Sequence, residues 1–116
     1  MFWLENANGA VLLRRRAESG LLGGMMEFPS TDWREGDWPD SEECESAEPI
    51  STEWICLPDE AVHVFTHFKF RIQVFVGKTD RIENTDGIWV QPQDFPNYAL
   101  PTVMKKVVRH VVTHRE

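Results

Sequence analysis

Apolar and polar residues alternate along residues 60–77, EAVHVFTHFKFRIQVFVG. From Val62 to Val76 the even-numbered positions are apolar except Thr66, and most odd-numbered positions from His63 to Phe75 are polar. A period of two is typical of strands that bury one face. One strand of this length would span about 50 Å, well beyond the usual strand. We therefore predict two core strands separated by a loop or bulge at Phe65-Thr66-His67, where a hydroxyl interrupts the apolar face.

The rest of the chain predicts further short strands and a short helix. Phe2 to Leu4 is a short apolar run, and Ala10 to Arg16 is predicted to be a strand; the turn pair Asn8-Gly9 between them indicates a hairpin. Further strands are predicted at Met25 to Phe28 and Gly87 to Val90. Trp54, Ile55 and Leu57 are predicted to return to the core before the turn at Pro58-Asp59. Pro39-Asp40 introduces a short helix over Ser41 to Ala47.

The last segment predicts an amphipathic helix that begins after Pro101, because proline is tolerated at the first helical position. One stripe is apolar: Val103, Met104, Val107, Val108, Val111 and Val112. The opposite side is polar: Lys105, Lys106, Arg109 and His110. The predicted fold class is therefore α+β, a mixed sheet of five or six strands packed with helices and closed by a C-terminal amphipathic helix.

The length, charge and cysteine content of the chain restrict its expected number of domains, its partners and its compartment. The chain has 116 residues, enough for one domain, and a net charge of −7. Residues 30–60 hold eleven acidic residues and one basic residue, so DNA contact, which depends on phosphate neutralisation, must be local. Two cysteines form no disulfide framework or zinc pattern, which favours a reducing compartment. No secretory signal and no membrane-spanning apolar run is present, so we expect a cytoplasmic protein.

No metal site is predicted. The carboxylates Glu42, Glu43, Glu45 and Glu48 lack a ligand spacing, so a solvated acidic face is the favoured interpretation. Two histidine pairs also lack a third ligand: His63 with His67, and His110 with His114. The glycine-rich segment 20–29 lacks the ending of a phosphate loop. Arg15 and its two arginine neighbours are either a phosphate patch or a solvated strand end.

Three motifs occur in one order: GLLGGMMEFP at 20–29, Phe65-Thr66-His67, and Leu100-Pro101-Thr102 before the basic helix. In these the chain resembles the MutT-like C-terminal domain of MutY-type adenine DNA glycosylases, which has a Nudix-type fold. The resemblance implies a single domain over residues 1–116, excised from a larger bacterial glycosylase. Its implied partners are double-stranded DNA with 8-oxoguanine opposite adenine and the helical catalytic domain of the same parent. The resemblance also implies that the four-cysteine iron–sulfur cluster belongs to that domain, so we expect no cofactor and no catalytic residue here.

The magnesium signature of Nudix hydrolases fails in this chain. Counted from Gly36, Glu42 has the required spacing, but Ile50-Ser51 occupies the Arg-Glu position. Fold similarity alone does not imply hydrolase activity. Two alternatives stay open: a MutT-like hydrolase of oxidised nucleoside triphosphates, and a protein-interaction module favoured by the acidic segment.

The resemblance assigns lesion contact to Phe65, Thr66 and His67. A hydroxyl at Thr66 can accept the N7–H that distinguishes 8-oxoguanine from guanine. Phe65 is an apolar surface against DNA or a core aromatic, and His67 is a polar donor or a structural histidine. Lys69 and Arg71, with Arg15, are lesser candidates for phosphate contacts.

Overall fold

A computed structural model describes residues 1–18, 21–80 and 87–114. Its strands are β1 (Phe2–Glu5), β2 (Val11–Arg15), β3 (Met26–Glu27), β4 (Ile55–Cys56), β5 (Ala61–Val64), β6 (Lys69–Ile72), β7 (Phe75–Lys78) and β8 (Ile88–Val90). Its helices are α1 (Ser41–Ala47), a 3-10 helix (Pro92–Asn97) and α2 (Thr102–His114). Among these described residues no helix is long and apolar enough to cross a membrane.

Six strands form one mixed sheet in the order β3-β2-β1-β7-β4, with β8 also paired to β2. The predicted hairpin of β1 and β2 is confirmed, and the Asn6 Oδ1 atom accepts from the backbone N–H groups of Asn8 and Ala10 in its turn. β1 runs parallel to β7, with Phe2 opposite Phe75. The predicted α+β fold with a mixed sheet and a C-terminal helix is confirmed.

β5 and β6 form a separate two-stranded antiparallel sheet, here called the 61–72 hairpin. The predicted break at Phe65-Thr66-His67 is confirmed, but the prediction that the even-numbered side chains share one buried face is wrong. Val62 is exposed, Val64 is 67% exposed and Phe68 is 47% exposed. The register explains this, because each odd-numbered residue of β5 pairs with an even-numbered residue of β6. The inner face is therefore formed by odd-numbered residues on β5 and even-numbered residues on β6. The alternating segment also contains parts of three strands, β5, β6 and β7, instead of the predicted two.

The covered face of α2 is rotated from its predicted position. Val103, Met104, Val107 and Val111 are buried as predicted, but Val112 is exposed and His110 is buried. The backbone of Pro58 covers the His110 side of the helix, and the ring Nε2 lies 3.0 Å from the Pro58 carbonyl oxygen. Burial, together with the neighbouring His114, lowers the pKa of His110.

The structure confirms the prediction for α1 and corrects the prediction for β4. Helix α1 is confirmed over Ser41–Ala47, and the Asp40 carboxylate caps it by accepting from the backbone N–H of Glu43. The prediction that Ile55 enters the core is wrong. β4 is a two-residue edge strand on β7, and its Ile55 side chain is exposed, whereas Leu57 is buried as predicted.

Replacement of Gly87 by alanine should destabilise the fold. Gly87 has φ +125°, and a Cβ there would overlap the carbonyl oxygen of Leu13, whose strand is fixed by its pairing with β8. We expect Gly87→Ala to lower the free energy of unfolding by roughly 2–3 kcal/mol. Gly36→Ala is the matched control, because Gly36 has φ +94° with open space around it. Equal losses in urea unfolding of the two variants would contradict the predicted clash.

Candidate nucleic-acid interface

The tip of the 61–72 hairpin is a tight turn. The backbone N–H of Phe65 donates to the carbonyl of Phe68 at 2.8 Å, and Thr66 and His67 lie between them. Both of these side chains are exposed. The turn therefore presents a hydroxyl and an imidazole to solvent from a short, strand-supported loop, which is a common setting for binding residues.

The hairpin is held in place through the inner face of β5, which packs against α2. On that face His63 is half-buried, and its ring lies edge-on to Phe65 with centroids 4.5 Å apart. Burial, with a contribution from Lys106 on α2, lowers the pKa of His63. A neutral His63 is therefore part of the support behind the tip.

Phe65 is half-buried and packs against the core. It stacks on Phe68 with centroids 4.7 Å apart and lies 6.3 Å from Phe70, whose ring contacts Trp33 at 4.5 Å. This aromatic cluster ties the turn to residues outside the hairpin. Phe65 thus supports the tip from behind, and Phe68 is the more exposed aromatic of the turn.

Two basic candidates stand on β6 below the tip, and they differ in their pairing. Arg71 forms a bidentate ion pair with Glu60, both N···O distances being 2.8 Å, and its guanidinium lies over Trp38. The hydrogen bonds from Arg71 lower the pKa of Glu60. Lys69 is exposed. The charge of Arg71 is therefore largely balanced locally, which leaves Lys69 the better candidate for a phosphate contact.

The structure does not bring Arg15 into this cluster. Arg15 ends β2 in the other sheet, and its Nη1 atom donates to the carbonyl of Gly24 at 2.7 Å. Its side chain is exposed. Arg15 is therefore a separate surface cation beside the glycine-rich segment.

Sequence reasoning missed a buried ionic cluster next to Arg15. Glu27 on β3 is buried and accepts from both Arg14 and Arg16 at 2.8 Å. The Arg16 guanidinium also stacks on Trp33, 3.9 Å from the ring centre. Buried charges are retained when paired and hydrogen-bonded, so these two arginines are structural and not a free phosphate patch. The sequence signal for this ionic cluster was Glu27, a glutamate within an otherwise apolar predicted strand over residues 25–28.

The acidic segment behaves as a solvated face. None of the residues of α1 is buried, and Arg34 pairs with Glu43 at its surface. In the described ranges, no three His, Cys, Asp or Glu side chains are grouped so that they could hold a metal ion.

Comparison with known proteins places this geometry in a family. The family model described as the NUDIX domain matches residues 1–114. The adenine DNA glycosylase of Rattus norvegicus is 33% identical over 119 residues, and that of Homo sapiens is 33% identical over 109. These alignments cover 90% and 85% of this chain. The chain spans about a fifth of the length of these curated relatives, 22% and 20%. Because these relatives are eukaryotic, a bacterial origin stays a prediction.

Solved structures agree with this assignment. The C-terminal domain of mouse MUTYH, in its crystal complex with human PCNA, superposes with a TM-score of 0.74 at 28% identity, covering 98% of this chain and 86% of that one. A MutT protein from Methanosarcina mazei superposes with a TM-score of 0.67 at 19% identity, covering 99% and 92%, and this supports the fold alone. The chain therefore belongs to the NUDIX domain family, and the resemblance to the MutT-like C-terminal domain of adenine DNA glycosylases is confirmed.

Proposed function

We propose that this chain is the lesion-recognition domain of an adenine DNA glycosylase and that it helps to recognise 8-oxoguanine opposite adenine in duplex DNA. The observation that carries the proposal is the exposed Thr66-His67 turn. This turn projects from a domain that is similar along almost its whole length to the glycosylase relatives. Base excision itself belongs to the separate catalytic domain that the resemblance implies.

The chemistry of the turn suits the oxidised base. Guanine presents N7 as an acceptor in the major groove. In 8-oxoguanine N7 carries a hydrogen, so a hydroxyl lone pair on Thr66 can accept from it. A hydroxyl also donates, so Thr66 discriminates only in part, by about 1–3 kcal/mol for a good base contact.

The other candidate residues have different proposed roles in binding DNA. Phe65, half-buried behind the turn, holds the tip in place, and His67 offers ring nitrogens to a base or a phosphate. Lys69 supplies local positive charge on a chain whose net charge is −7. Arg71 contributes less because Glu60 already neutralises it. Arg15 lies on the other sheet and is a weaker candidate for a DNA contact.

The same proposal makes this chain non-catalytic. Ile50-Ser51 replaces the Arg-Glu pair of the hydrolase signature, and α1 ends at Ala47 before reaching that position. The MutT-like alternative would require magnesium-dependent release of pyrophosphate from the triphosphate of 8-oxo-deoxyguanosine. We expect no such release above the rate without protein.

The binding test compares duplexes that carry 8-oxoguanine·A or G·A in titrations at one stated, low salt concentration. We expect Thr66→Ala to reduce the preference for the oxidised duplex about tenfold, which corresponds to about 1.4 kcal/mol, because the acceptor for N7–H is lost. His67→Ala should weaken binding to both duplexes. A second arm repeats the titrations with the chain fused to a MutY-type catalytic domain, which raises the affinity.

Thr113→Ala is the matched control, since Thr113 is an exposed threonine on α2 away from the turn. It should bind like the parent chain. An unchanged preference in Thr66→Ala together with an unchanged affinity in His67→Ala, also in the fused protein, would remove the turn from the recognition role.

One observation favours a second function. The mouse domain was crystallised with human PCNA, so the protein-interaction alternative has a precedent in a relative. In this chain Val64, at 67% exposure, is an apolar side chain available for such contact. A Val64→Lys variant separates lesion recognition from protein interaction. It should abolish protein docking through the exposed side of β5 that carries Val64, and it should keep the discrimination between the 8-oxoguanine·A and G·A duplexes.

A further inference from the structure

His63 on β5 is the side chain that connects the exposed turn with helix α2. Its ring lies edge-on to Phe65, with centroids 4.5 Å apart, on the face of the hairpin that packs against α2. Thr66 and His67 follow Phe65 directly, and the backbone N–H of Phe65 closes the turn on the carbonyl of Phe68. The position of the His63 ring therefore sets the position of the residue at which the turn begins.

One ring nitrogen of His63 is buried without a partner. Within the described ranges, the Nδ1 atom is shielded from solvent and makes no hydrogen bond. A neutral imidazole can keep its hydrogen on Nε2 and leave only a lone pair at Nδ1, whereas an imidazolium carries a hydrogen on both nitrogens. Protonation of His63 would thus create an N–H group where no acceptor lies, and a buried donor without an acceptor is costly, more so when it is charged.

The groups that surround His63 also oppose a positive charge on its ring. Burial, and after it the charge of Lys106 on α2, lowers the pKa of His63. On β6, the side chains of the same face are Phe70 and Ile72, because they are paired with odd-numbered residues of β5. In the part of the chain that the structure describes, the surroundings of the ring are thus one like charge and apolar side chains.

The base of the hairpin is held to α2 by contacts that tolerate acid. The Nε2 atom of His110 donates to the carbonyl of Pro58 at 3.0 Å, and this N–H is present in the charged ring too. The Nδ1 atom of His114 donates to the carbonyl of His110, and its Nε2 lies 3.4 Å from the carboxylate of Asp59, so a protonated His114 gains an ion pair. The two rings are 4.1 Å apart, so a proton on one opposes a proton on the other. Acid therefore disfavours the packing at the tip and preserves the attachment at the base.

We propose that His63 is a positioning residue for the Thr66-His67 turn: its neutral ring holds the turn in position, and its protonation releases the turn. A charged ring leaves its place behind Phe65, and the turn opens while the base of the hairpin stays docked. The preference for the oxidised base is then lost in acid. This last step rests on the proposed function, because it assigns recognition of 8-oxoguanine to the same turn.

The test uses His63→Gln, which keeps an N–H donor and does not titrate. Its matched control is His67→Gln, which removes the histidine of the exposed turn and leaves His63 in place. NMR follows the ring signals of His63, and the acid measurements are made at a pH at which these signals show a protonated ring in the folded parent chain. The readout is hydrogen exchange at the amide of Phe65, whose N–H closes the turn.

In acid we expect the Phe65 amide to exchange about tenfold faster in the parent chain than in His63→Gln, with equal rates near neutral pH. His67→Gln should exchange like the parent. All the chains keep Met1 and the histidines of α2, so other effects of acid cancel in the comparison. Equal exchange of the parent and His63→Gln in acid, or a His63 ring that stays neutral until the domain unfolds, overturns the proposal. If His63→Gln does not fold, His63→Phe takes its place, since it keeps an aromatic ring that does not titrate.

The functional arm repeats the duplex titrations at the same two pH values. In acid we expect the preference of the parent chain for 8-oxoguanine·A over G·A to fall about tenfold and that of His63→Gln to be kept. Both chains meet the same duplexes, so effects of acid on the DNA cancel. A parent preference that survives in acid while the Phe65 amide exchanges fast overturns the link between this switch and recognition. Absence of any preference near neutral pH in every chain contradicts the proposed function instead, and the Phe65 amide then decides the role of His63 by itself.

Discussion

Replacing Phe28 by alanine should remove a large part of the stability of the domain. Phe28 has no exposed surface and packs against Trp3 at 5.2 Å and Phe95 at 5.9 Å between ring centroids. These contacts join β1, the residue after β3 and the 3-10 helix. Loss of a fully buried phenylalanine leaves a cavity and costs about 3–5 kcal/mol. Since small domains are stable by roughly 5–15 kcal/mol, the variant should unfold at much lower urea concentration.

Phe68→Ala is the control of the same chemistry at an exposed position. Phe68 is 47% exposed and contacts mainly Phe65 at the hairpin tip. Its replacement should cost about 1 kcal/mol or less. The measurement is the free energy of unfolding of both variants from urea titration by circular dichroism. Comparable losses would mean that Phe28 is not the centre of the aromatic core.

Both phenylalanines belong to apolar patterns in the sequence, and only one is buried. Local rules predicted the turn at residues 65–67, the Asn8-Gly9 hairpin and the capped helix α1, because each depends on neighbours within a few residues. The covered face of a strand depends instead on what packs against it. In the 61–72 hairpin the covered face holds odd-numbered residues on β5 and even-numbered residues on β6, so the alternation in the sequence did not predict which side chains are covered.

The features of the candidate site also fall into those that the local sequence predicts and those that depend on how the strands pair. The exposed turn could be located from the hydroxyl that interrupts an apolar run, and the chemistry of Thr66 follows from its side chain. The pairing of Arg71 with Glu60 across the hairpin, and of Glu27 with two arginines, depends on the pairing of strands. Sequence alone therefore did not separate Lys69 from Arg71, and Lys69 is the better candidate because Glu60 balances the charge of Arg71.

The amino-terminal group of Met1 should make stability depend strongly on pH. It is buried, and this desolvation lowers its pKa from 8.0 to about 5. Between pH 8 and pH 5 the unfolded chain therefore holds a proton that the folded chain lacks. Stability falls as pH decreases through this window and levels off below about 5. A shift of this size corresponds to about 4 kcal/mol in total, of which about 2 kcal/mol is expected between pH 7 and pH 5.

Acetylation of the amino group isolates this contribution, because the acetylated chain carries no charge at Met1. The lowered pKa values of His63 and His110 act in the same direction and remain in both forms, so the difference between the two chains reports Met1 alone. We expect acetylation to stabilise the domain by several kcal/mol at pH 5 and to have little effect at pH 9, measured by urea unfolding. Parallel pH profiles for the two chains would show that the ammonium is solvated in the folded protein.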